Sequence, residues 1–333
     1  MKKLFLFPIR SATNPYIYNF YNALSPFFDM AQKGRETQNN ARFKLLINSF
    51  SFDIYCLNWI ESITGGLSGF ILFFVSFLAL FFIKIRDKRI IWMFHNIHPH
   101  TGENIYSKII QRFLFNYADL IVTHSCQAAE YAKMHAKNKV LYYCHPFSPL
   151  NINIKDFDGN TESVDIFIWG NILPYKGIPE FIEKMEKYPL NKSIKILGFC
   201  KDQALDQRIR TIVERNPNII YENRRAEFSE IAVMIKRSKY VLFPYSGGSV
   251  SSSGALIDTI QLGGIPVGPN MGAFRDLNSE GLCLVYNDYD ELFRILNSEI
   301  KLDEFRRVSF INNNTWEDFA KQISNIIYKE LYC

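Results

Sequence analysis

The segment from Leu67 to Ile83, LSGFILFFVSFLALFFI, carries no charged residue and restricts the possible folds more than any other part of the chain. Its length approaches the roughly 20 residues that a membrane-spanning helix needs. The flanking segments FDIYCLNWI (52–60) and RIIWMFHNI (89–97) both have the continuous apolar character of buried parallel strands. Because strands of one sheet cannot lie on opposite sides of a bilayer, we interpret the segment as the crossover helix of a βαβ unit.

Such a helix is apolar on more of its circumference than packing on a sheet requires. A cluster with a basic excess follows at once, at 84–89. The surplus face can enter one membrane leaflet with the basic cluster at the headgroups, it can be buried in protein, or the helix can span the bilayer. We expect the first arrangement. It predicts a cytoplasmic protein held peripherally on the inner face of the cytoplasmic membrane.

Strand and helix patterns alternate through both halves of the chain, which is typical of doubly wound α/β domains. A length of 333 residues suits two such domains. In the first half, 14–30 is predicted to be a helix and KLLINS (44–49) a strand. We expect a first domain at 1–150, a linker at 151–163, a second domain at 164–314, and a helix at 315–333 that packs back on the first domain.

Composition excludes several classes of function. A net charge of +5 with no dense Lys/Arg run makes nucleic acid a poor candidate partner. The six cysteines include no CxxC pair and have no histidine nearby at zinc-site spacing, so we expect reduced core residues. No metal and no cofactor are predicted.

Two loops that follow predicted strands of the second half could bind phosphate. After DIFIWG comes GNILPYKG (170–177), in which glycines allow a close backbone approach and Lys176 can neutralise an anion. After YVLFPY comes SGGSVSSSG (246–254), whose small residues precede a helix start. Ligands of open α/β sheets bind beyond the carboxyl ends of the strands, so both loops are candidate site elements. An ordinary turn and a flexible linker remain the alternatives.

Histidines follow the predicted strands of the first half. His95 and His98 come at the end of RIIWMF, and we expect His95, His98 or Glu103 to act as general base. Structural capping and metal binding are the alternatives for these histidines. On the acceptor side we expect Ser11, Asn14, Tyr16, His124 and His145.

Four pieces of the chain resemble the GT-B glycosyltransferases that assemble bacterial surface polysaccharides, a family-4-like group. They are GNILPYKGIPEFIE, FPYSGGSVSSSGALIDTIQLGGIPVGPNMGAFRDL, FHNIHPH and DLIVTHS, in the right order and spacing over essentially the whole chain. The resemblance implies an α/β GT-B fold: two doubly wound, Rossmann-like domains facing a central cleft, with a C-terminal helix crossing back. It also implies a metal-independent hexosyltransferase that moves a sugar from a nucleotide diphosphate sugar to a lipid-linked or saccharide acceptor.

The resemblance also assigns residues. The donor diphosphate and sugar would be bound by Gly170, Asn171, Tyr175, Lys176, Ser251, Ser252, Ser253 and Gly254. Beyond what the resemblance assigns, we expect the nucleotide to be bound by Gly198, Glu222, Arg224, Tyr245 and Asp258, with Asp258 or Glu222 contacting the ribose.

The chain departs from the family at two positions. Many retaining members carry two glutamates eight positions apart, which align with Ser251 and Thr259. We therefore lean towards inversion at the anomeric carbon, and two other functions stay open: a sugar-nucleotide epimerase of the same fold and an inactive membrane-bound scaffold.

Overall fold

The computed structural model describes residues 1–8, 14–30, 41–97, 104–148, 163–185, 187–188, 190–246 and 253–332. The chain divides into two units, the first comprising Met1–Ser148 with Asn314–Cys333 and the second comprising Pro149–Asn313. Each unit has its own parallel sheet, of five strands in the first and six in the second.

The first sheet is arranged in chain order, β1-β2-β3-β4-β5. Its strands are β1 (Leu4–Phe7), β2 (Ile54–Asn58), β3 (Arg89–Met93), β4 (Leu120–Thr123) and β5 (Lys139–Tyr142), and all neighbours are parallel. Right-handed crossovers between strands in this order place the connecting helices on one face. Those helices are α2 (Ala41–Asn48), α3 (Gly66–Ile85), α4 (Ile105–Tyr117) and α5 (Cys126–His135), which share one hydrophobic core with the sheet.

The opposite face of this sheet is covered from both ends of the chain. Helix α1 (Pro15–Leu24) supplies Ile17 and Phe20, and α13 (Trp316–Ile326) supplies Phe319 and Ile323 to a second core. Thr315 and Asp318 form a capping box at the start of α13, which continues as a π-helical turn at Ile327–Leu331. A sheet wound in one direction needs this cover, because its following helices leave the other face bare.

The uncharged segment Leu67–Ile83 lies in α3, between the parallel neighbours β2 and β3. The prediction of a crossover helix is therefore confirmed. Two local predictions are wrong. KLLINS belongs to α2, where Ala41 and Leu45 are buried at helical spacing. The helix predicted over 14–30 ends at Leu24, because Pro26 cannot continue it.

The second sheet has the order β11-β10-β9-β6-β7-β8, with all neighbours parallel. Its strands are β6 (Val164–Trp169), β7 (Ile194–Gly198), β8 (Ile219–Asn223), β9 (Ser238–Leu242), β10 (Pro266–Pro269) and β11 (Leu284–Tyr286). Its helices are α6 (Ile178–Lys184), α7 (Gln203–Val213), α8 (Phe228–Arg237), α9 (Gly254–Gln261), α10 (Gly272–Ser279), α11 (Tyr289–Asn297) and α12 (Glu304–Asn312). The winding direction reverses between β6 and β9, which makes that point the expected ligand crevice.

Candidate active site

The turn after β6 and the loop after β9 meet at the reversal point of the second sheet. The backbone N–H of Ser246 donates to the carbonyl of Tyr175 at 2.9 Å. Gly177 has a φ of +62°, and a Cβ there would lie 2.1 Å from the carbonyl oxygen of Pro244. Only glycine allows this approach. The turn that carries Lys176 therefore lies against Pro244 and Ser246, where the second candidate loop begins.

Lys176 lies within this junction and is only 8% exposed. Its Nζ is 5.5 Å from the ring centroid of Tyr245 and 3.3 Å from where a Cβ of Gly170 would be. Burial lowers the pKa of Lys176 to about 8. Among the residues that the structure describes, none forms a hydrogen bond or ion pair with its ammonium. A buried cation without a carboxylate is costly to the fold and is ready to receive an anion.

Other residues predicted to bind the donor lie in the turn after β6, at the end of β9 and at the start of α9. The rings of Tyr175 and Tyr245 are 5.7 Å apart, and the Tyr245 hydroxyl lies 3.4 Å from Oγ of Ser253. Ser253 also caps α9 by accepting from the N–H of Leu256 at 3.4 Å. Gly254 is exposed, and a Cβ there would meet nothing within 4 Å. Among the described residues, none therefore covers Gly254 in the first turn of α9, where backbone N–H groups can bind an anion. Asn171 is exposed in the turn after β6.

Two predicted nucleotide contacts are engaged with other protein groups. Glu222 accepts from Lys195 Nζ at 2.6 Å and from Arg224 Nε at 2.7 Å, and these cations hold its pKa below the ordinary value. Arg224 also bonds Glu230. Gly198 has a packing role, since a Cβ there would lie 1.9 Å from the carbonyl oxygen of Gly170.

Asp258 and Thr259, next to each other on α9, differ sharply. Thr259 is fully buried, donating to the Ala255 carbonyl at 2.7 Å and accepting from Trp169 Nε1 at 3.2 Å, so it belongs to the core. Burial raises the pKa of Asp258 to about 7, and no hydrogen bond or ion pair to its carboxylate occurs within the described ranges.

A cavity of about 330 Å³ lies beside the loop after β9. The carboxyl ends of β9, β10 and β11 line it, and Tyr245 is shared with the surroundings of Lys176. The sequence did not point to its other polar residues. These include Asn270, Asn287 and Asp288.

In the first unit, the carboxyl ends of the strands hold a cluster of aromatic rings around Tyr16. The Tyr16 centroid lies 5.0 Å from that of His95, 5.6 Å from His124, 5.4 Å from His145 and 5.0 Å from Trp316. The structure thus brings together the predicted His95, Tyr16, His124 and His145. Asn14 has a different role, as N-cap of α1.

Backbone acceptors fix the tautomers of two of these histidines. His124 Nδ1 lies 2.9 Å from the Tyr143 carbonyl, which can only accept, so Nδ1 carries the proton and Nε2 accepts from the Tyr16 hydroxyl at 2.7 Å. His145 Nδ1 likewise donates to the Pro146 carbonyl at 3.0 Å. Burial lowers the pKa of His124 to about 3 and that of His145 to about 4. Both imidazoles are neutral at pH 7.

His95 is 5% exposed, with its Nε2 2.9 Å from Oδ1 of Asn58. Asn58 donates its own Nδ2–H to the Phe7 carbonyl at 2.9 Å, so Oδ1 accepts from the Nε2–H of His95. The ring stacks on Trp59 at 4.3 Å, and Trp59 has a φ of +51°. A tryptophan in the left-handed region is unusual and marks a strained site. Sequence reasoning missed Asn58, Trp59 and Trp316.

Five predicted site residues, His98, Glu103, Ser11, Ser251 and Ser252, lie outside the described residues. Within the described part of the chain, no group of three or more His, Cys, Asp or Glu has an arrangement that could hold a metal ion.

No family model and no curated protein sequence matches this chain. Solved structures do match. HepE of Anabaena, in complex with UDP and glucose, is similar with a TM-score of 0.60 and 15% identity over 88% of this chain and 81% of that one. An α,α-trehalose-phosphate synthase (UDP-forming) from Burkholderia vietnamiensis is similar with a TM-score of 0.61 and 13% identity, over 94% of this chain and 82% of that one.

A third similar structure covers nearly the full length of both chains. AviGT4, a glycosyltransferase involved in avilamycin A biosynthesis, gives a TM-score of 0.60 and 9% identity over 100% of this chain and 98% of that one. Identities this low speak for the architecture and not for a shared substrate. With two parallel-sheet units matched across their length, the chain has the GT-B fold.

Proposed function

We propose that this protein is a glycosyltransferase that moves a sugar from a nucleotide diphosphate sugar to a lipid-linked or saccharide acceptor. The observation that carries the proposal is Lys176, a buried ammonium at the reversal point of the second sheet with no carboxylate partner among the described residues. The adjacent start of α9 adds unsatisfied N–H groups and a favourable dipole. A diphosphate can pair with the Lys176 ammonium and accept hydrogen bonds from the N–H groups at the start of α9. The similarity to structures that contain UDP or are named as UDP-forming supports the same choice.

In the proposed reaction, an acceptor hydroxyl attacks the anomeric carbon of the donor sugar. A bond forms between the acceptor oxygen and this carbon while the bond from the carbon to the phosphate oxygen breaks. The electron pair of that bond passes to the leaving diphosphate, where Lys176 and the N–H groups at the start of α9 stabilise the added charge.

The hydroxyl proton needs a base. His95 is our first candidate, acting through Nδ1, because its Nε2–H is donated to Asn58. The hydrogen bonds of Asn58 and the stacked Trp59 would hold the imidazole in one orientation. His98 and Glu103 are the alternative bases. No metal has a role in this proposal, and a single displacement of this kind inverts the anomeric centre.

The biological setting is part of the same proposal. We place the enzyme in surface-polysaccharide assembly as a hexosyltransferase, in the cytoplasm and peripheral to the inner face of the cytoplasmic membrane. The exposed apolar side of α3 supports the membrane location. Nucleic acid is not an expected partner.

Donor binding is the first test, by thermal shift with UDP, GDP, TDP, ADP and CMP sugars. We expect one nucleotide class to stabilise the wild type and Lys176→Ala to abolish that shift, with turnover falling about 100-fold or more. Lys201→Ala, which removes an exposed lysine of the same unit, is the matched control and should behave as wild type.

Two outcomes would replace the proposal. Conversion of the free sugar nucleotide with no acceptor present would indicate an epimerase. No shift from any nucleotide, or an unchanged shift in Lys176→Ala, would favour an inactive scaffold or a different donor site.

A further inference from the structure

Helix α3 exposes an apolar stripe along its whole length. Leu67 at its start is 79% exposed and Ile85 at its end 64% exposed. Between them Phe70, Ile71, Phe74 and Phe81 are exposed, and these positions fall on one side of a helix about 30 Å long. The opposite side is buried in the domain through Val75, Ala79 and Ile83. Judged by length and composition alone, one helix among the described residues is long enough and apolar enough to cross a membrane, and it is α3.

The neighbouring helices extend this stripe into a surface. Aromatic contacts join α3 to α4, with the rings of Phe73 and Tyr106 5.3 Å apart and those of Phe77 and Phe113 5.6 Å apart. The rings of Phe50, just after α2, and Phe82 are 5.3 Å apart. All three helices pack on the same face of the sheet. Exposed apolar residues on α2 and α4 are Phe43, Ile47, Ile105, Ile109 and Tyr117.

The charge of this three-helix surface has one sign. None of the residues of α2, α3 and α4 is acidic. Lys108 and Arg112 are exposed on α4, and Arg86, just after α3, lies 5.2 Å from the ring centroid of Phe50. The exposed Asp87 beside it is paired with Arg89 at 3.8 Å. Guanidinium and ammonium groups thus lie among exposed aromatic rings, the pattern of a surface that binds anionic lipid headgroups.

Two features keep α3 in the plane of a membrane. Its flanking strands β2 and β3 are hydrogen-bonded neighbours, so neither end can leave the sheet. Arg42 of α2 donates to Ser76 in the middle of α3 at 2.6 Å and to the Ile60 and Ser62 carbonyls at 2.7 and 3.0 Å. A spanning helix would have to bring this guanidinium and its partners into hydrocarbon.

We propose that α2, α3 and α4 form a surface that docks flat on an anionic lipid bilayer and orients the enzyme towards a lipid-linked acceptor. Helices α3 and α4 follow β2 and β3, so both begin at the carboxyl edge of the first sheet, the edge that carries His95 and Trp59. An acceptor headgroup at that edge can therefore be reached with its lipid tail still in the membrane. The choice of acceptor rests on the proposed glycosyl transfer, whereas the docking itself does not.

Vesicle flotation of the full-length protein tests the docking surface. We expect wild type to float with vesicles of phosphatidylcholine and phosphatidylglycerol at 7:3 and to bind pure phosphatidylcholine several-fold more weakly. Ile71→Gln combined with Phe74→Gln should reduce binding at least tenfold. Arg86→Gln with Arg112→Gln should remove most of the preference for anionic vesicles. Phe305→Gln, which alters an 83% exposed apolar residue of α12, and Arg215→Gln are the matched controls and should bind as wild type.

Several results would overturn the proposal. The first is a wild-type protein that does not float with the vesicles. The second is the Ile71→Gln, Phe74→Gln variant floating as well as wild type. The third is a wild-type dimer that this variant converts to monomer, which would mean that a second copy of the chain occupies the surface. Retention of the protein on membranes after alkaline carbonate washing would contradict the flat orientation. The thermal shift with donor distinguishes a failure of membrane docking from a failure of the proposed function, because the Ile71→Gln, Phe74→Gln variant should keep that shift in full.

Discussion

The carboxyl edges of the two sheets present polar side chains in different electrostatic states. At the edge of the first sheet, His124 and Tyr16 bond each other, burial keeps the neighbouring His145 neutral, and His95 donates to Asn58. At the edge of the second sheet, Lys176 lies buried with no hydrogen-bond or ion-pair partner among the described residues. The carboxylate of Asp258 on α9 is only partly buried and also has no such partner there.

The difference indicates what each edge is prepared to bind. A neutral, mutually bonded cluster is already satisfied and can hold rings and hydroxyl groups in fixed positions. A desolvated charge without a partner lowers stability until a counter-charge arrives. The first edge is therefore built to orient a neutral group, and the second is built to be completed by an anion.

The largest effect is expected from Gly177→Ala, which disrupts the contact between the turn after β6 and the loop after β9. The added Cβ would lie 2.1 Å from the Pro244 carbonyl oxygen at a residue with positive φ, so we expect a loss of about 3 kcal/mol in the free energy of unfolding. Donor affinity should fall with it, because the turn and the loop separate. Chemical denaturation and the donor thermal shift measure the two effects. The exposed Gly254, where a Cβ would meet no described residue, provides Gly254→Ala as the control for the stability effect alone.

Lys176→Met should stabilise the protein in the absence of ligand, because it removes the unpartnered charge at the second edge. The lysine titrates near 8 when folded and near 10.5 when unfolded, so its charge penalises the folded state fully below pH 8, and the penalty disappears as pH rises to 10.5. We expect a gain of about 2 kcal/mol at pH 7 that shrinks above pH 8. Denaturation at pH 7 and pH 9.5 measures it. A variant that is less stable at pH 7 would mean that the ammonium is paired.

Tyr16→Phe, at the edge of the first sheet, should lower the free energy of unfolding, whereas Lys176→Met should raise it. Removing the hydroxyl leaves His124 Nε2 buried without its donor, at a cost of about 1–2 kcal/mol. Donor binding should be unchanged, because the substitution alters none of the residues assigned to the donor. Urea denaturation and the donor thermal shift measure the two effects. A variant as stable as wild type would contradict the interpretation that the Tyr16–His124 hydrogen bond satisfies a buried group.

The smallest effect is expected from Asp258→Asn. Burial raises the pKa of this carboxyl from 3.8 to about 7, so its ionisation penalises the folded state increasingly as pH rises from 4 to 7 and fully above 7. The side chain is only partly buried, and we expect a gain of about 1 kcal/mol at pH 8 and less at pH 5. Thermal unfolding at the two pH values tests this. An equal change at both would show that ionisation is not the cause.

The sequence predicted those features that depend on local pattern and on the position of a loop after a strand. The crossover α3 and the meeting of the Lys176 turn with the loop after β9 are of this kind, because carboxyl ends of parallel strands share one edge. KLLINS was misread since a short apolar run fits a strand or a helix equally. The chain order of the first sheet could not be read, because an alternation of strands and helices does not state which strands are neighbours.

Other site features depend on contacts between distant residues. Trp59 stacks on His95, 36 positions further along the chain, and its positive φ arises from packing and not from its own preference. The tautomer of His124 is set by the Tyr143 carbonyl. Thr259 aligned with a ligand-binding glutamate, yet its surroundings are core. No local spacing rule contains this information.

The return of α13 to the first unit makes the second unit an insertion within the first. On the ribosome, residues up to Asn313 emerge before Trp316 and Phe319, which complete the core against α1. The second unit can therefore fold while one face of the first sheet is covered by α1 alone, the reverse of the usual N-terminal-first order. Trp316 also contacts Tyr16, so an unfinished chain has its anion site before it has a complete histidine cluster.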